Sequence, residues 1–405
     1  MKCTIFRFSL IQILIAFTCV TLVIGQTNQV GVLAKQHLYP FSYQGSFQGP
    51  GWDSLVNHAR SHHHFLIGED HGLAEVPLFA SALFAEQKVD VLVTEIDSIA
   101  ASVAQYVTLL TSTAVDSFHQ RNPAALSFYS AREEFHFLQE LTSSGADVWG
   151  LDQVSLFSTG IAFDRLSELC TSEQAIDLAK SLAKQSDEAF QEAARTGNYE
   201  LLFIFAAKAE IFDELRVLLS NESQEAKRIA SNIEISWKIY NRIDQATYHT
   251  RIGEMKSAFL NYYFNNQGKS DRRLLYKFGA YHVSKAESLI GGHDVGNLVA
   301  NIAHAEGKKS YHLMIVGKKG GMNTFLPTEG MSEVTYAIED ETSPLHALTP
   351  FAQHINERWG FFDLRAIRSQ VRQSKVDMGN TFLERLIKGY DGLVIIPETT
   401  ASGTY

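Results

Sequence analysis

Residues 64–72 read HFLIGEDHG, and the reading of this stretch decides the fold. His64–Gly68 is a short apolar run of strand length, and Gly68 and Gly72 bracket the polar triplet Glu69-Asp70-His71. Leu73–Gln87 follows with apolar residues at helical spacing, so the passage predicts strand, sharp polar turn, helix. The same grammar repeats downstream. Val89–Glu95 (VDVLVTE) is a second strand, Ala131–Thr142 (AREEFHFLQELT) a helix, and Asp147–Asp152 (DVWGLD) a third strand. Short apolar strands alternating with amphipathic helices predict an α/β fold, a mostly parallel sheet flanked by helices.

From about 158 to 268 the strand signal disappears. Residues 174–195, 199–220 and 223–264 carry apolar positions at three- and four-residue spacing, punctuated at Gly197-Asn198 and Ser220-Asn221. This predicts an all-helical insertion, or cap, over 158–268. Strands resume at Leu274–Gly279, Tyr311–Gly317, Phe361–Leu364 and Leu393–Ile396, with helices over Asp294–Glu306 and Thr381–Lys388. The Gly-, Thr-, Pro- and Ser-rich segment 318–350 reads as a long surface loop or short hairpin. The domain layout expected is 1–25 as a signal peptide, 26–157 and 269–405 as one discontinuous α/β domain, and 158–268 as the insertion.

The leader reading rests on Lys2 and Arg7 ahead of the apolar run Phe8–Ile24, with Val23 and Gly25 placed for cleavage before Gln26. An uncleaved anchor is the alternative, since the run sits at the short end of bilayer-spanning length. Cleavage predicts a secreted or periplasmic protein with no membrane span. It removes Cys3 and Cys19, leaving Cys170 as a single thiol in an apolar helical context and no disulfide framework. Asn221-Glu222-Ser223 is an N-glycosylation sequon.

Composition narrows the function classes. At 405 residues, 45% hydrophobic and 20% charged, the chain can bury a large core. Its formal charge of −10 becomes −12 once Lys2 and Arg7 leave with the leader, which leaves no cationic surplus for phosphates and argues against a nucleic-acid partner. There is no G-x-S-x-G elbow, H-E-x-x-H helix, P-loop or post-strand G-x-G-x-x-G. One mature cysteine excludes a thiol-ligated zinc site. The expected partner is a small-molecule substrate or ligand.

In open parallel sheets ligands bind beyond the carboxyl ends of the strands. Four strands here end on polar groups: Glu69-Asp70-His71, with Glu75 four residues on; Glu95 and Asp97; Asp152 and Gln153; Tyr281 and His282. Glu69 and His71 are one residue apart and point the same way at a strand end. His71 and Glu75 are expected one helical turn apart on one face. A carboxylate beside an imidazole raises its basicity for activating water, or holds a metal. His62-His63 reads as an exposed loop end, Glu133, Glu134 and His136 as a solvated helix face, Tyr281 as a core residue, and His293 as either a pocket residue or a surface partner of Asp294.

The Gly68-Glu69-Asp70-His71-Gly72 turn, the strand ending in Glu95 and Trp149-Gly150-Leu151-Asp152 resemble the erythromycin esterase-like and ChaN-like (haem-uptake, Tiki) superfamily. So do Arg251 with Met255, Lys277-Phe278-Gly279-Ala280-Tyr281-His282, Asp294-Val295-Gly296-Asn297 and the closing Gly389–Pro397, in order from about residue 60 to 402. By this resemblance the polar cluster falls on Glu69, His71, Glu75, Glu95 and His282. Arg251, Asp152 and His293 are the substrate-binding candidates, and Glu69, His71 and His282 the ligands if a divalent metal is held. The esterase branch usually has two residues between the motif's Glu and His, and only Asp70 stands here, a spacing nearer the ChaN type. The resemblance implies a hydrolase in which His71 or His282, oriented by Glu69, Glu75 or Glu95, activates water on an ester or related substrate. Its alternative is a non-catalytic protein binding haem or another small ligand.

Overall fold

The structure, a computed structural model, describes residues 29–405 except 244–246, 266–270, 325–332, 375 and 377. The leader expected over 1–25 lies outside the described residues. The strands are β1 (Leu38–Tyr43), β2 (Phe47–Gln48), β3 (His64–Glu69), β4 (Val91–Asp97), β5 (Asp147–Asp152), β6 (Leu274–Gly279), β7 (Ser310–Gly317), β8 (Lys319–Asn323), β9 (Glu333–Ala337), β10 (Trp359–Asp363) and β11 (Gly392–Ile396). Nine of them form one sheet in the order β2-β1-β10-β11-β7-β3-β6-β4-β5. From β11 to β5 every pairing is parallel, while β10, β1 and β2 close the other edge antiparallel. This is the α/β architecture expected. The segment 318–350 takes its hairpin alternative, with β8 antiparallel to β9.

The central strands are buried along their whole length, as strands covered by helices on both faces must be. Their side chains alternate between two apolar layers. Phe65, Ile67 and Leu92 pack with Phe79, Phe135 and Leu138 on one face. Leu66, Val91, Val93 and Tyr276 pack with Met255, Phe259 and Val299 on the other. β1 escaped the sequence reading because Pro40 argues against a strand; it is tolerated near the sheet edge, where β2 reaches only Ser42 and Tyr43.

The helices Thr159–Leu169, Glu173–Thr196, Phe203–Ala206, Ala209–Leu218 and Gln224–Asn241 build a separate core around Phe163, Leu182, Phe212, Ile233 and Trp237. Cys170 is buried there, capping Thr159–Leu169. The block 223–264 breaks into two helices at Arg242, which ends Gln224–Asn241 with φ 53°. A left-handed cap without glycine leaves no mark in the sequence. The second helix, Tyr248–Asn265, turns back onto the sheet and adds Met255 and Phe259 to its core beside Trp149 and Tyr276. It is the crossover from β5 to β6, and it carries Arg251 over the carboxyl edge of the sheet. No helix among the described residues is long and apolar enough to cross a membrane.

Candidate active site

At the carboxyl edge, Glu95 is the hub of a buried polar cluster. The β4–β5 register shifts between Thr94 and Asp97, an irregularity of the kind that re-aims a side chain at a strand end. Glu95 Oε1 accepts a hydrogen bond from Arg251 Nη2 at 2.8 Å and lies 3.2 Å from His282 Nε2. Its Oε2 accepts the Gly279 amide at 2.6 Å and lies 3.4 Å from His71 Nε2. One carboxylate therefore faces two imidazoles, a guanidinium and a backbone donor.

Each histidine is held by a second carboxylate. His71 Nδ1 is 2.7 Å from Glu69 Oε1, and its ring stacks on Phe128 with centroids 3.7 Å apart. His282 Nδ1 is 2.9 Å from Asp294 Oδ2, which also accepts the Tyr248 hydroxyl at 2.9 Å. Asp294 Oδ1 meanwhile caps the helix Val295–Ala305 by accepting Val295 N–H. Arg251 is anchored by Asp152, with Nε to Oδ1 at 2.8 Å and Nη2 to Oδ2 at 2.6 Å, so Nη1 stays outside these bonds. His282 is 5% exposed, whereas His71 and Arg251 keep 24% and 22% of their side chains open to solvent.

Burial alone would drive the imidazoles toward neutrality, but the carboxylates outweigh it. Hydrogen bonds to Glu69 and Glu95 push the His71 pKa up to about 9. The charge of Glu95 and the bond to Asp294 push His282 up to about 10. Against the upward push of burial, His282 and His71 hold Glu95 well below the usual carboxylate range, and Lys277 and His71 hold Glu69 down. Desolvation raises Asp70 to about 6.

The sequence candidates divide. Glu69, His71, Glu95, His282, Arg251 and Asp152 come together. Glu75 does not join them: the helix begins at Glu75, with His71 in the preceding turn, so the two share no helical face. The Glu75 carboxylate instead accepts Thr400 N–H at 3.0 Å and Thr400 Oγ1–H at 2.7 Å. His293 is exposed, and its carbonyl accepts Lys256 Nζ; its neighbour Asp294 is the one that reaches the cluster. Asp97 is a helix cap, accepting Ile99 and Ala100 N–H. β6 stops at Gly279, and a 3-10 turn, not a strand, presents His282 and leaves Tyr281 partly buried. Glu134 is not solvated but buried, 2.7 Å from Lys277 Nζ, while Glu133 accepts Gly403 N–H and His136 is exposed beside Glu140.

Two glycines explain their own places. Gly72, at φ 85°, has no room for a side chain because a Cβ would fall 2.1 Å from the Asn323 carbonyl oxygen. Gly279 has an ordinary φ of −56°, but a Cβ there would lie 2.9 Å from His71 Nε2 and 3.3 Å from Glu95 Oε2. Gly279→Ala is expected to cost about 1–3 kcal/mol by overpacking, and to displace the two groups the site depends on. A melting curve and a rate for this variant, both unchanged, would contradict the close packing of His71 on β6.

No family model matches the chain, and no curated protein matches it. Solved structures do. A histidine-to-asparagine mutant of the erythromycin esterase EreC, in its open conformation, aligns with a TM-score of 0.57 at 14% identity, covering 87% of this chain and 94% of that one. The chain has the erythromycin esterase fold. A succinoglycan biosynthesis protein aligns with a TM-score of 0.55 at 11% identity over 93% of this chain and 98% of its own. A Bacillus cereus protein aligns with a TM-score of 0.50 at 17% identity over 94% and 99%.

Within this erythromycin esterase fold the donor set does not suit a divalent metal. The oxygens that Glu69 and Glu95 would offer face Lys277 Nζ at 2.6 Å and Arg251 Nη2 at 2.8 Å, so cations of the chain already neutralise them. Among the described residues, no group of three or more His, Cys, Asp or Glu side chains has the arrangement to hold a metal ion. Haem fits no better at the buried histidine: both ring nitrogens of His282 point at carboxylates, and axial ligation there would break a buried pair. Beside the cluster, a cavity of about 310 Å³ opens between the cap and β5, lined by Asp152, Gln153, Arg228, Asn232, Glu254 and Tyr262 among others. Asp152 thus joins this cavity to Arg251.

Proposed function

We propose that this protein is a hydrolase of the erythromycin esterase type, which uses its Glu/His cluster to activate water on an ester or related acyl substrate. The observation that carries the reading is the pair of histidines fixed around Glu95, with His71 and Arg251 the members that reach solvent. With its Nδ1 proton donated to Glu69, neutral His71 has its basic lone pair on Nε2, the atom that takes a proton from water. Hydroxide adds to the acyl carbon, Arg251 faces the developing oxyanion, and the imidazolium returns the proton to the leaving alkoxide. Glu95 stays ionised throughout and holds Arg251, His282 and His71 in register. The leader reading extends the proposal to export, with the mature enzyme secreted or periplasmic and acting on a small molecule.

His71 is mostly imidazolium at pH 7, since its pKa is about 9. The base-dependent rate is therefore expected to climb about tenfold per pH unit and level off near pH 9. A kcat/KM profile from pH 6 to 10 with a plateau already at pH 7 would remove His71 as the base. Glu75→Gln, which alters only the tie to Thr400, is expected to leave kcat within about twofold of wild type. Loss of turnover in that variant would return Glu75 to the machinery.

A further inference from the structure

A buried lysine lies behind the histidine base. Lys277 stands in the middle of β6, 2% of its side chain exposed, with Nζ 2.6 Å from Glu69 Oε2 and 2.7 Å from Glu134 Oε1. Both carboxylates are as buried as the lysine, at 2% and 1%. Glu134 comes from another layer, the helix Arg132–Ser143, where it shares a face with Leu138 and Leu141. A buried ion triad of this kind costs desolvation and is a weak source of stability, so its placement asks for another reason. It ends at Glu69, whose other oxygen is 2.7 Å from His71 Nδ1.

We propose that Lys277 and Glu134 are positioning residues for His71: Lys277 pins Glu69 as a carboxylate aimed at His71 Nδ1, and Glu134 balances Lys277 so that Glu69 keeps its hold on that proton. The proposal rests on His71 being the base of the hydrolytic reading. Glu134 is faced by Lys277, Glu69, Tyr129 and His71, and burial raises its own pKa to about 7 against the pull of Lys277. If Glu134 is lost, the Lys277 ammonium pairs with Glu69 alone and draws its charge away from His71. The His71 imidazolium is then less well held, and its titration midpoint falls.

The test is histidine ¹⁵N NMR on the mature chain, with the His71 signals assigned by their absence in His71→Asn. Wild type is expected to show the Nδ1–H tautomer when neutral and a midpoint near 9. Glu134→Gln is expected to lower that midpoint, and with it the pH at which the rate levels off, by about one unit, and to lower kcat on the plateau at pH 10 by about threefold, with KM within about twofold. Glu134→Asp, which keeps the charge, is expected to recover most of both, and Lys277→Arg to leave the midpoint near wild type. His312, bonded to Val283 O and Ser310 Oγ away from the triad, serves as an unshifted control. A His71 midpoint and tautomer unchanged in folded Glu134→Gln would overturn the proposal. Should Glu134→Gln not fold, a His71 midpoint in Glu134→Asp that falls by as much as expected for Glu134→Gln, although the charge is kept, would do the same. Absence of ester hydrolysis in wild type would instead overturn the hydrolytic reading, and leaves the NMR comparison to decide the positioning of His71.

Discussion

Replacing Glu95 by Gln is expected to destabilise the fold by about 3–5 kcal/mol and to abolish turnover, the largest effect of any single change in the site. Gln keeps the shape but removes the negative charge that three buried or half-buried cations share, at 2.8 Å from Arg251, 3.2 Å from His282 and 3.4 Å from His71. Removing one partner of a buried ionic group leaves the others uncompensated, which is why the loss exceeds that of any surface pair. The same linkage gives a pH dependence. His71 and His282 bind their protons more tightly folded than unfolded, at about 9 and about 10 against 6.5. Their contribution is fully present below pH 6.5 and drains away as pH rises through 9 to 10. Urea denaturation at pH 7 and pH 10 is therefore expected to show stability falling with pH in wild type, and falling much less in Glu95→Gln. Equal stability of the two proteins at pH 7 would contradict a Glu95-centred cluster.

His71→Asn is expected to lower kcat by about 10²–10⁴-fold, the usual worth of a positioned acid-base group, while leaving the fold cooperative. His71 is the site's histidine with the larger exposure, 24% against 5% for His282, so it is the one that water and substrate reach. His282→Asn is expected to lose activity by a different route, since it opens the pair with Asp294 and frees the cap of Val295–Ala305. Stability measured beside the rate separates the two: each variant gives up the stability its imidazolium lends at neutral pH, and the His282 variant gives up in addition the hold on the cap of Val295–Ala305. A His71→Asn enzyme within about threefold of wild type would leave the assigned base without support.

Much of this cluster was legible because β3, β4 and β5 are short apolar runs that end on polar residues, His282 follows three residues beyond β6, and the sheet brings those ends together. β5 and β6 match the ranges read from sequence, and Glu69, His71, Glu95, His282 and Asp152 meet as their strand-end places implied. Arg251 was reached only through the resemblance, because the helix break at Arg242 that swings it over the sheet has no glycine to announce it. Glu134 was misread as solvated, although it stands four and seven residues before Leu138 and Leu141, on the buried face of its helix. Lys277 carried a similar signal, a charge in the middle of LLYKFG. Asp294 was hidden beside His293; the N-cap geometry of Val295–Ala305 decides which of the two faces inward. Phe128 had no signal at all, since only the tertiary fold lays a 3-10 turn against the His71 ring.

The proposed hydrolysis of an acyl substrate by this Glu/His cluster, without a metal, is open to a single assay. Its most direct test is hydrolysis of a panel of ester, lactone, peptide and phosphoester substrates by the purified mature chain, run with and without chelator and repeated with His71→Asn. Turnover of an ester or lactone is expected to survive the chelator and to be lost in the variant. Turnover that the chelator removes, or that His71→Asn retains, would contradict it.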